Sequence, residues 1–316
     1  MAIIHNGYKD IEVKLLSFDD KLLDKCSNFG RFGDHELKIP SASQYRSKIV
    51  NDIINGKTFP KYAVSGTRID FEIKGISRIC LAQLTRDSAI FCSESHGVRP
   101  LNMEYNVPLN IITDESIMSK FTNAMNLLEE CYIEACEKGI PYPESRYLGL
   151  HCQTISLCCS FTPSDFVRAC YSRTNNSFCD ELNYVYRKMF YCLKQEIKNI
   201  KDVDCRRLWQ WIVNERKCIN DSFYTRTEVF KGDFIPSIAS TKDNEDGAVN
   251  DWRKSCWKIE LERIIKEEPE LLTKIEQEEI KNYYFRKNLY TSYTGNLEQS
   301  PENAIKETSY YKEHRK

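Results

Sequence analysis

The stretch Ile69-Asp-Phe71-Glu-Ile73-Lys-Gly-Ile76-Ser-Arg-Ile79-Cys-Leu81 alternates apolar and polar residues in the two-residue rhythm of a half-buried β-strand. The alternation predicts a strand within residues 64–82 with one face against a core. A dense polar cluster follows at once: Gln83-Leu-Thr-Arg86-Asp-Ser88-Ala-Ile-Phe-Cys-Ser-Glu94-Ser-His96-Gly97-Val-Arg99. Two arginines offer forked donors, Gln83 both donates and accepts, and a turn at Gly97 can expose backbone N–H groups. This is the chemistry of a small-anion pocket, and equally of an ordinary polar junction between a strand and a helix.

Downstream, Ile117, Phe121, Ala124, Leu128, Cys131, Tyr132 and Ala135 recur at three- and four-residue steps between Asp114 and Lys138, and Gly139 and Pro141 stop the pattern. A long amphipathic helix is predicted there. Thr162-Pro-Ser-Asp165 has the form of a helix cap and opens a short helix carrying Phe166, Val167 and Cys170 that ends near Arg173. Phe178, Leu182, Val185, Met189, Cys192 and Leu193 then mark a longer one. Upstream, residues 1–60 read as irregular apart from a helix near 43–54. The patch Asn28-Phe-Gly-Arg-Phe-Gly33 reads as a loop, since its two glycines lack the Gly-x-Gly-x-x-Gly spacing of a dinucleotide turn.

Together these elements predict a mixed α/β fold, a twisted sheet flanked by long helices. Residues 1–230 form the main domain, residues 231–251 a linker rich in turn formers, and residues 252–316 a charged helical extension broken at Pro269. The extension carries Trp252, Trp257, Ile264, Ile265, Leu271 and Leu272, and polar residues follow from 292 onward.

With 45 basic and 46 acidic residues the chain lacks the charge excess that long nucleic acids require, so any anionic partner is expected to be small. No run suits a membrane span and the first residues lack the order of a secretion signal, which predicts a cytoplasmic protein. Fourteen cysteines in 316 residues, many at apolar helical positions such as Cys131, Cys170 and Cys192, read as reduced core thiols. No Cys-x-x-Cys pair occurs and the five histidines are scattered, so no metal site is expected.

Three segments, Gln83–Arg99, Gly139-Ile-Pro-Tyr-Pro-Glu-Ser-Arg146 and Arg173-Thr-Asn-Asn-Ser-Phe-Cys-Asp-Glu181, taken in this order, resemble the flavin-dependent thymidylate synthases over residues 60–197. Gln83, Arg86, Glu94, Gly97, Arg146 and Arg173 fall on the family's motif positions, and Glu181 matches a further glutamate. The resemblance implies methylation of C5 of dUMP, with methylenetetrahydrofolate giving the carbon unit, reduced FAD the hydride, and NADPH charging the flavin. It implies a homotetramer with sites between subunits. Arg173 is the residue implied to polarise the pyrimidine carbonyl and is the catalytic candidate. The substrate-binding candidates are Gln83, Arg86, Glu94, His96, Gly97, Arg99, Arg146 and Arg173, with Arg99, Arg146 and the Gly97 backbone on the phosphate and His96 where the family has a serine. The cofactor-binding candidates are Arg86, Ser88, Thr162 and Arg168.

The chain also departs from the family. The signature Arg-His-Arg reads Arg86-Asp87-Ser88, the family's earlier Glu-His pair is replaced in the Thr58–Tyr62 region, and Thr162 and Ser164 stand for an asparagine and an arginine of the flavin-contacting helix. The losses fall on flavin positions. Two further readings follow: a pyrimidine nucleotide hydroxymethylase, which needs folate and water but no net hydride, and a catalytically silent nucleotide-binding or scaffold protein using its charged C-terminal segment. Cys92 and Cys179 lie inside the matched segments and read as structural thiols, because the family does not attack the ring with a cysteine.

Overall fold

A computed structural model describes residues 3–33, 41–54, 66–87, 89–93, 104–173, 180–214, 260 and 263–272. In chain order its main elements are β1 (Ile3–Asn6), β2 (Glu12–Ser17), α1 (Leu22–Gly30), α2 (Ala42–Ile54), β3 (Ile69–Ser77), α3 (Arg78–Leu84), β4 (Ala89–Ser93) and β5 (Glu104–Val107). There follow α4 (Glu115–Glu137), β6 (Thr154–Phe161), α5 (Pro163–Arg173), α6 (Asp180–Asn199) and α7 (Val203–Asn214). The architecture is mixed α/β. Strands β2-β3-β6-β4 form an antiparallel sheet in that order, and β1 and β5 pair in parallel as a separate ribbon.

The alternation in β3 does what its pattern implies. Ile69, Phe71 and Ile73 are fully buried and stand opposite Phe161, Cys159 and Leu157 of β6, while Asp70, Glu72 and Lys74 lie on the other face. The rhythm breaks after Ile73, where the pairing with β6 shifts between Lys74 and Ile76. Gly75 sits in that bulge at φ +79, a conformation that favours glycine, and the extra residue returns Ile76 to the buried face.

The strand is shorter than its alternation suggests. It ends at Ser77, whose hydroxyl accepts the Cys80 N–H at 3.1 Å and caps α3, so Ile79 and Leu81 belong to a helix. Residues 1–60 are likewise more ordered than the sequence reading held. Two strands and two helices occupy them, and the Asn28–Gly33 patch is the end of α1 followed by a single 3₁₀ turn, Arg31–Gly33. Gly30 is a packing glycine there, since a Cβ would lie 2.5 Å from the Tyr45 ring of α2.

Helix α5 opens where its cap sequence places it. Thr162 Oγ1 accepts from the Asp165 N–H at 3.1 Å and donates to the Asp165 carboxylate at 2.7 Å, so the aspartate answers the cap hydroxyl rather than the cap N–H. Phe166 then stacks on Phe71 at 5.2 Å between ring centroids and meets Phe161 at 5.6 Å, fixing the helix to the sheet. Helix α6 buries Leu182, Tyr184, Val185, Tyr186, Met189 and Leu193 in the same core. Helix α7, which the sequence reading passed over, adds Leu208, Trp209 and Ile212, and the Trp209 indole donates to the Asp19 carbonyl at 2.8 Å.

Helix α4 spans almost the predicted residues with Asp114 as its cap, but its buried face keeps only part of the predicted stripe. Tyr132 and Ala135 are buried together with Met125, and Phe121 and Leu128 are half-buried, whereas Ile117, Ala124 and Cys131 are exposed, because the helix packs along one edge against the small core of the β1–β5 ribbon. Of the C-terminal segment, Glu260 and residues 263–272 are described, and they join the main core through Ile264, Leu271 and Leu272. A buried polar cluster holds them. Arg263 donates to Glu260 at 2.9 Å and Glu268 at 2.8 Å, and Glu268 accepts from the Tyr184 hydroxyl at 2.6 Å. Pro269 opens a single 3₁₀ turn, as its break in the pattern implies.

Among the described residues no helix is long and apolar enough to cross a membrane, and no group of three or more histidine, cysteine or acidic residues is placed to hold a metal ion.

Candidate functional site

Two of the segments that carry the family resemblance meet at Asp87. Helix α3 ends at Leu84 and the chain turns through Arg86 and Asp87, with the Arg86 and Asp87 N–H groups closing on the Gln83 and Leu84 carbonyls. Helix α5 ends at Arg173, which lies 86 residues further along the chain. The Arg173 Nε and Nη2 both donate to Asp87 Oδ1, at 3.0 and 2.7 Å, and Nε also reaches Oδ2 at 3.3 Å. Oδ2 accepts in addition from the Tyr186 hydroxyl of α6. The Arg173 and Asp87 side chains are only 13% and 8% exposed, so this is a buried, forked ion pair in which a desolvated carboxylate is satisfied from three sides. Burial and the Asp87 charge push the Tyr186 phenol well above its ordinary range, which keeps its proton in place as a donor.

Asp87, the residue at which the sequence departs from the motif it resembles, is therefore the partner of the catalytic candidate. Sequence reasoning treated the two as separate matters, a lost flavin contact and a retained arginine. Tyr186 it missed, since a tyrosine among the apolar residues of α6 gives no sign that its hydroxyl faces a carboxylate.

Close by in sequence, Glu181 opens a second buried polar centre. Its carboxylate accepts from the Ser77 N–H at 2.6 Å, the Ser77 hydroxyl at 2.5 Å and the Asn106 side-chain amide at 3.0 Å. One carboxylate thus ties the β3–α3 junction, β5 and α6 together. Burial pushes the Glu181 carboxyl up to about 7, against the opposing pull of the hydrogen bonds from Ser77 and Asn106. Glu181, which the resemblance matched to a motif glutamate, lies in the interior of the fold, 4% exposed.

The remaining candidates divide. Gln83 is half-buried on the last turn of α3 and Arg86 is exposed in the turn that follows. Arg146 is half-buried in the 3₁₀ turn Arg146–Leu148, which packs against α4. Ser88, Glu94, His96, Gly97 and Arg99 lie outside the described residues, as do Thr58–Tyr62, Cys179 and the 231–251 segment. Arg168 falls within α5 and Cys92 within β4, and only their backbone positions are described.

For the flavin, two of the described groups at positions that the resemblance gives to it, Thr162 and Asp87, are engaged within the protein. The Thr162 hydroxyl is buried and committed to the cap of α5, with Ser164 Oγ 3.1 Å away, and Asp87 is committed to Arg173 and Tyr186. These groups close on one another rather than presenting donors to a phosphate or an isoalloxazine ring. Among the flavin candidates only Arg86 is described with an exposed side chain.

The ten cysteines whose side chains are described are free thiols. Where their acidity is perturbed it moves away from reactivity, with burial pushing Cys152 up to about 11 and Cys159 up to about 12. Cys131, expected in a core, is exposed on α4.

No protein-family model and no curated protein matches the sequence. Solved structures are similar at low identity. The UMP/dUMP methylase PolB from Streptomyces cacaoi, bound with 5-Br dUMP, aligns with a TM-score of 0.46 and 13% identity over 66% of this chain and 96% of that one. The flavin-dependent thymidylate synthase ThyX from Helicobacter pylori, complexed with FAD and dUMP, aligns with a TM-score of 0.43 and 20% identity over 61% of this chain and 99% of that one.

Proposed function

We propose that this protein is an enzyme of the flavin-dependent thymidylate synthase type, transferring a one-carbon unit from methylenetetrahydrofolate to C5 of a deoxypyrimidine monophosphate, with dUMP as substrate and dTMP as product. The observation that carries the reading is the convergence of two motif segments, 86 residues apart, on the Arg173–Asp87 pair at the ends of α3 and α5. Arg173 is the residue assigned to the pyrimidine carbonyl. A held guanidinium beside that oxygen stabilises the charge that develops on the ring when the adjacent carbon attacks the folate methylene. Gln83 and Arg86, which border the same turn, are assigned to the nucleotide, and Arg146, with Glu94, His96, Gly97 and Arg99, to its phosphate side. Catalysis by this chain then consists of holding and polarising the nucleotide, because the carbon unit comes from the cosubstrate.

Methyl transfer also needs a hydride, which FAD reduced by NADPH supplies in the family. The engagement of Thr162 and Asp87 within the protein favours a second reading, hydroxymethyl transfer to the same carbon, in which water completes the reaction and no net hydride is consumed. The scaffold reading is less favoured: the described part of the C-terminal segment is engaged with the protein's own core. Assembly as a homotetramer and a cytoplasmic location are part of the proposal.

The test is to incubate the purified protein with methylenetetrahydrofolate and dUMP or dCMP, with and without FAD and NADPH, and to weigh the nucleotide product. A gain of CH₂ that requires the flavin system supports thymidylate synthesis, and a gain of CH₂O without it supports the hydroxymethylase. Unchanged nucleotide under all conditions contradicts both.

A further inference from the structure

We infer that Asp87, braced by Tyr186, is the positioning residue of the nucleotide site: it sets the direction of the Arg173 guanidinium and restricts that arginine to recognition of the base rather than the phosphate. The inference deepens the proposed function and rests on its nucleotide-binding reading.

Three observations carry it. First, the Asp87 carboxylate takes the Nε and Nη2 donors together, at 3.0 and 2.7 Å. A one-point contact would leave a guanidinium free to swing, whereas a forked one fixes its plane and its axis. Second, the carboxylate is held against turning away, because Tyr186 of α6 holds Oδ2 and both side chains of the ion pair are largely withdrawn from solvent. The clamp thus joins three elements, the turn after α3, the end of α5 and the body of α6. Third, charge decides the ligand chemistry. A guanidinium already neutralised by a buried carboxylate has little net attraction left for a phosphate dianion, yet an N–H donor oriented by that pairing still bonds a neutral carbonyl oxygen. Arg86 and Arg146, which are assigned to the nucleotide and have no such partner among the described ion pairs, keep the electrostatic task.

This ordering makes a separable prediction for binding. Affinities of dUMP and of deoxyuridine are measured by calorimetry for the wild-type protein, Asp87→Asn and Tyr186→Phe, with circular dichroism to establish folding. Asp87→Asn keeps the shape of the side chain but cannot hold the forked pair as a charge, and it is expected to weaken dUMP binding by about 10-fold to about 100-fold, the range of a charge-assisted hydrogen bond. Tyr186→Phe removes only the brace and is expected to weaken it about 5-fold. In Tyr186→Phe the ratio of dUMP to deoxyuridine affinity is expected to stay at the wild-type value, because the phosphate is held elsewhere, whereas in Asp87→Asn, where the guanidinium is no longer neutralised, the ratio is expected to rise. A general loosening of the fold would erode that ratio as well.

Equal or tighter dUMP binding by Asp87→Asn, a ratio that fails to rise in that variant, or a changed ratio in Tyr186→Phe overturns the inference. If Asp87→Asn does not fold, Tyr186→Phe decides by the same two readouts, and its unchanged affinity overturns it. Wild-type protein that fails to bind dUMP removes the nucleotide reading, and this inference with it, before any variant is made. Wild-type binding together with insensitive variants removes the positioning role alone.

Discussion

Two carboxylates in the matched segments, Asp87 and Glu181, have side chains withdrawn from solvent, and the fold treats them in opposite ways. Asp87 is met by a guanidinium through a two-pronged contact and by a phenol. Among the described residues Glu181 is met by neutral donors, a backbone N–H, a hydroxyl and an amide. Hydrogen bonds alone do not replace the hydration a carboxylate loses on full burial, so the Glu181 carboxyl titrates at about 7. The difference separates two tasks. A carboxylate beside a cation is suited to orienting that cation for a ligand, whereas one among neutral donors is a proton-sensitive rivet between β3, β5 and α6.

The largest effect that tests this contrast comes from truncating the first carboxylate. Asp87→Ala leaves the Arg173 guanidinium and the Tyr186 hydroxyl without the partner they share and is expected to lower the unfolding free energy by roughly 3 to 5 kcal/mol. Denaturant titration reads it, and a loss no larger than that of a surface substitution would break the comparison.

Protonation of Glu181 gives the next effect. Its folded value of about 7 lies above the ordinary 4.5, so the folded state binds the proton more tightly than the unfolded chain does. Stability from this group is full below about pH 4.5, falls as pH rises from there through 7, and is lost above. The loss is on the order of 3 kcal/mol across that window. Glu181→Gln keeps the shape without the charge and should flatten the slope, so wild-type and variant stabilities that run parallel from pH 4.5 to 8 would show that the carboxyl does not titrate as described.

The smallest effect sharpens the assignment of Thr162. Thr162→Ala removes the cap of α5 and should cost about 1 kcal/mol in stability. Flavin retention and nucleotide affinity should not change, because the hydroxyl is spent within the helix cap; loss of a bound flavin in that variant would return Thr162 to the cofactor.

The contrast also shows what the sequence made legible. Periodicity carried local elements well: α2, α4 and α5 begin and end near their predicted residues because capping groups and apolar spacing act within a few positions. It failed where a local rhythm persisted through a change of element, as in Ile79 and Leu81, which continue the strand alternation although the Ser77 cap has already started a helix. The strands before residue 20 are short, and β2 shows only Val13 and Leu15 as its apolar face, too little to stand out beside its lysine and glutamate. The Asp87–Arg173 contact was out of reach for another reason: its partners are far apart in the chain, and a carboxylate in a turn gives no local sign of which cation it will meet. Even so, the departure was noticed at the right residue. An acidic residue where a family carries a basic one is a demand for a compensating cation, and the candidate arginine was already in view.

The central claim, that Arg173 belongs to a deoxypyrimidine nucleotide site, is tested most directly by titrating dUMP into the wild-type protein and Arg173→Ala side by side in a calorimeter. The account predicts saturable binding by the wild type and affinity about 100-fold weaker or lost in the variant. Equal affinity in the two folded proteins would contradict it.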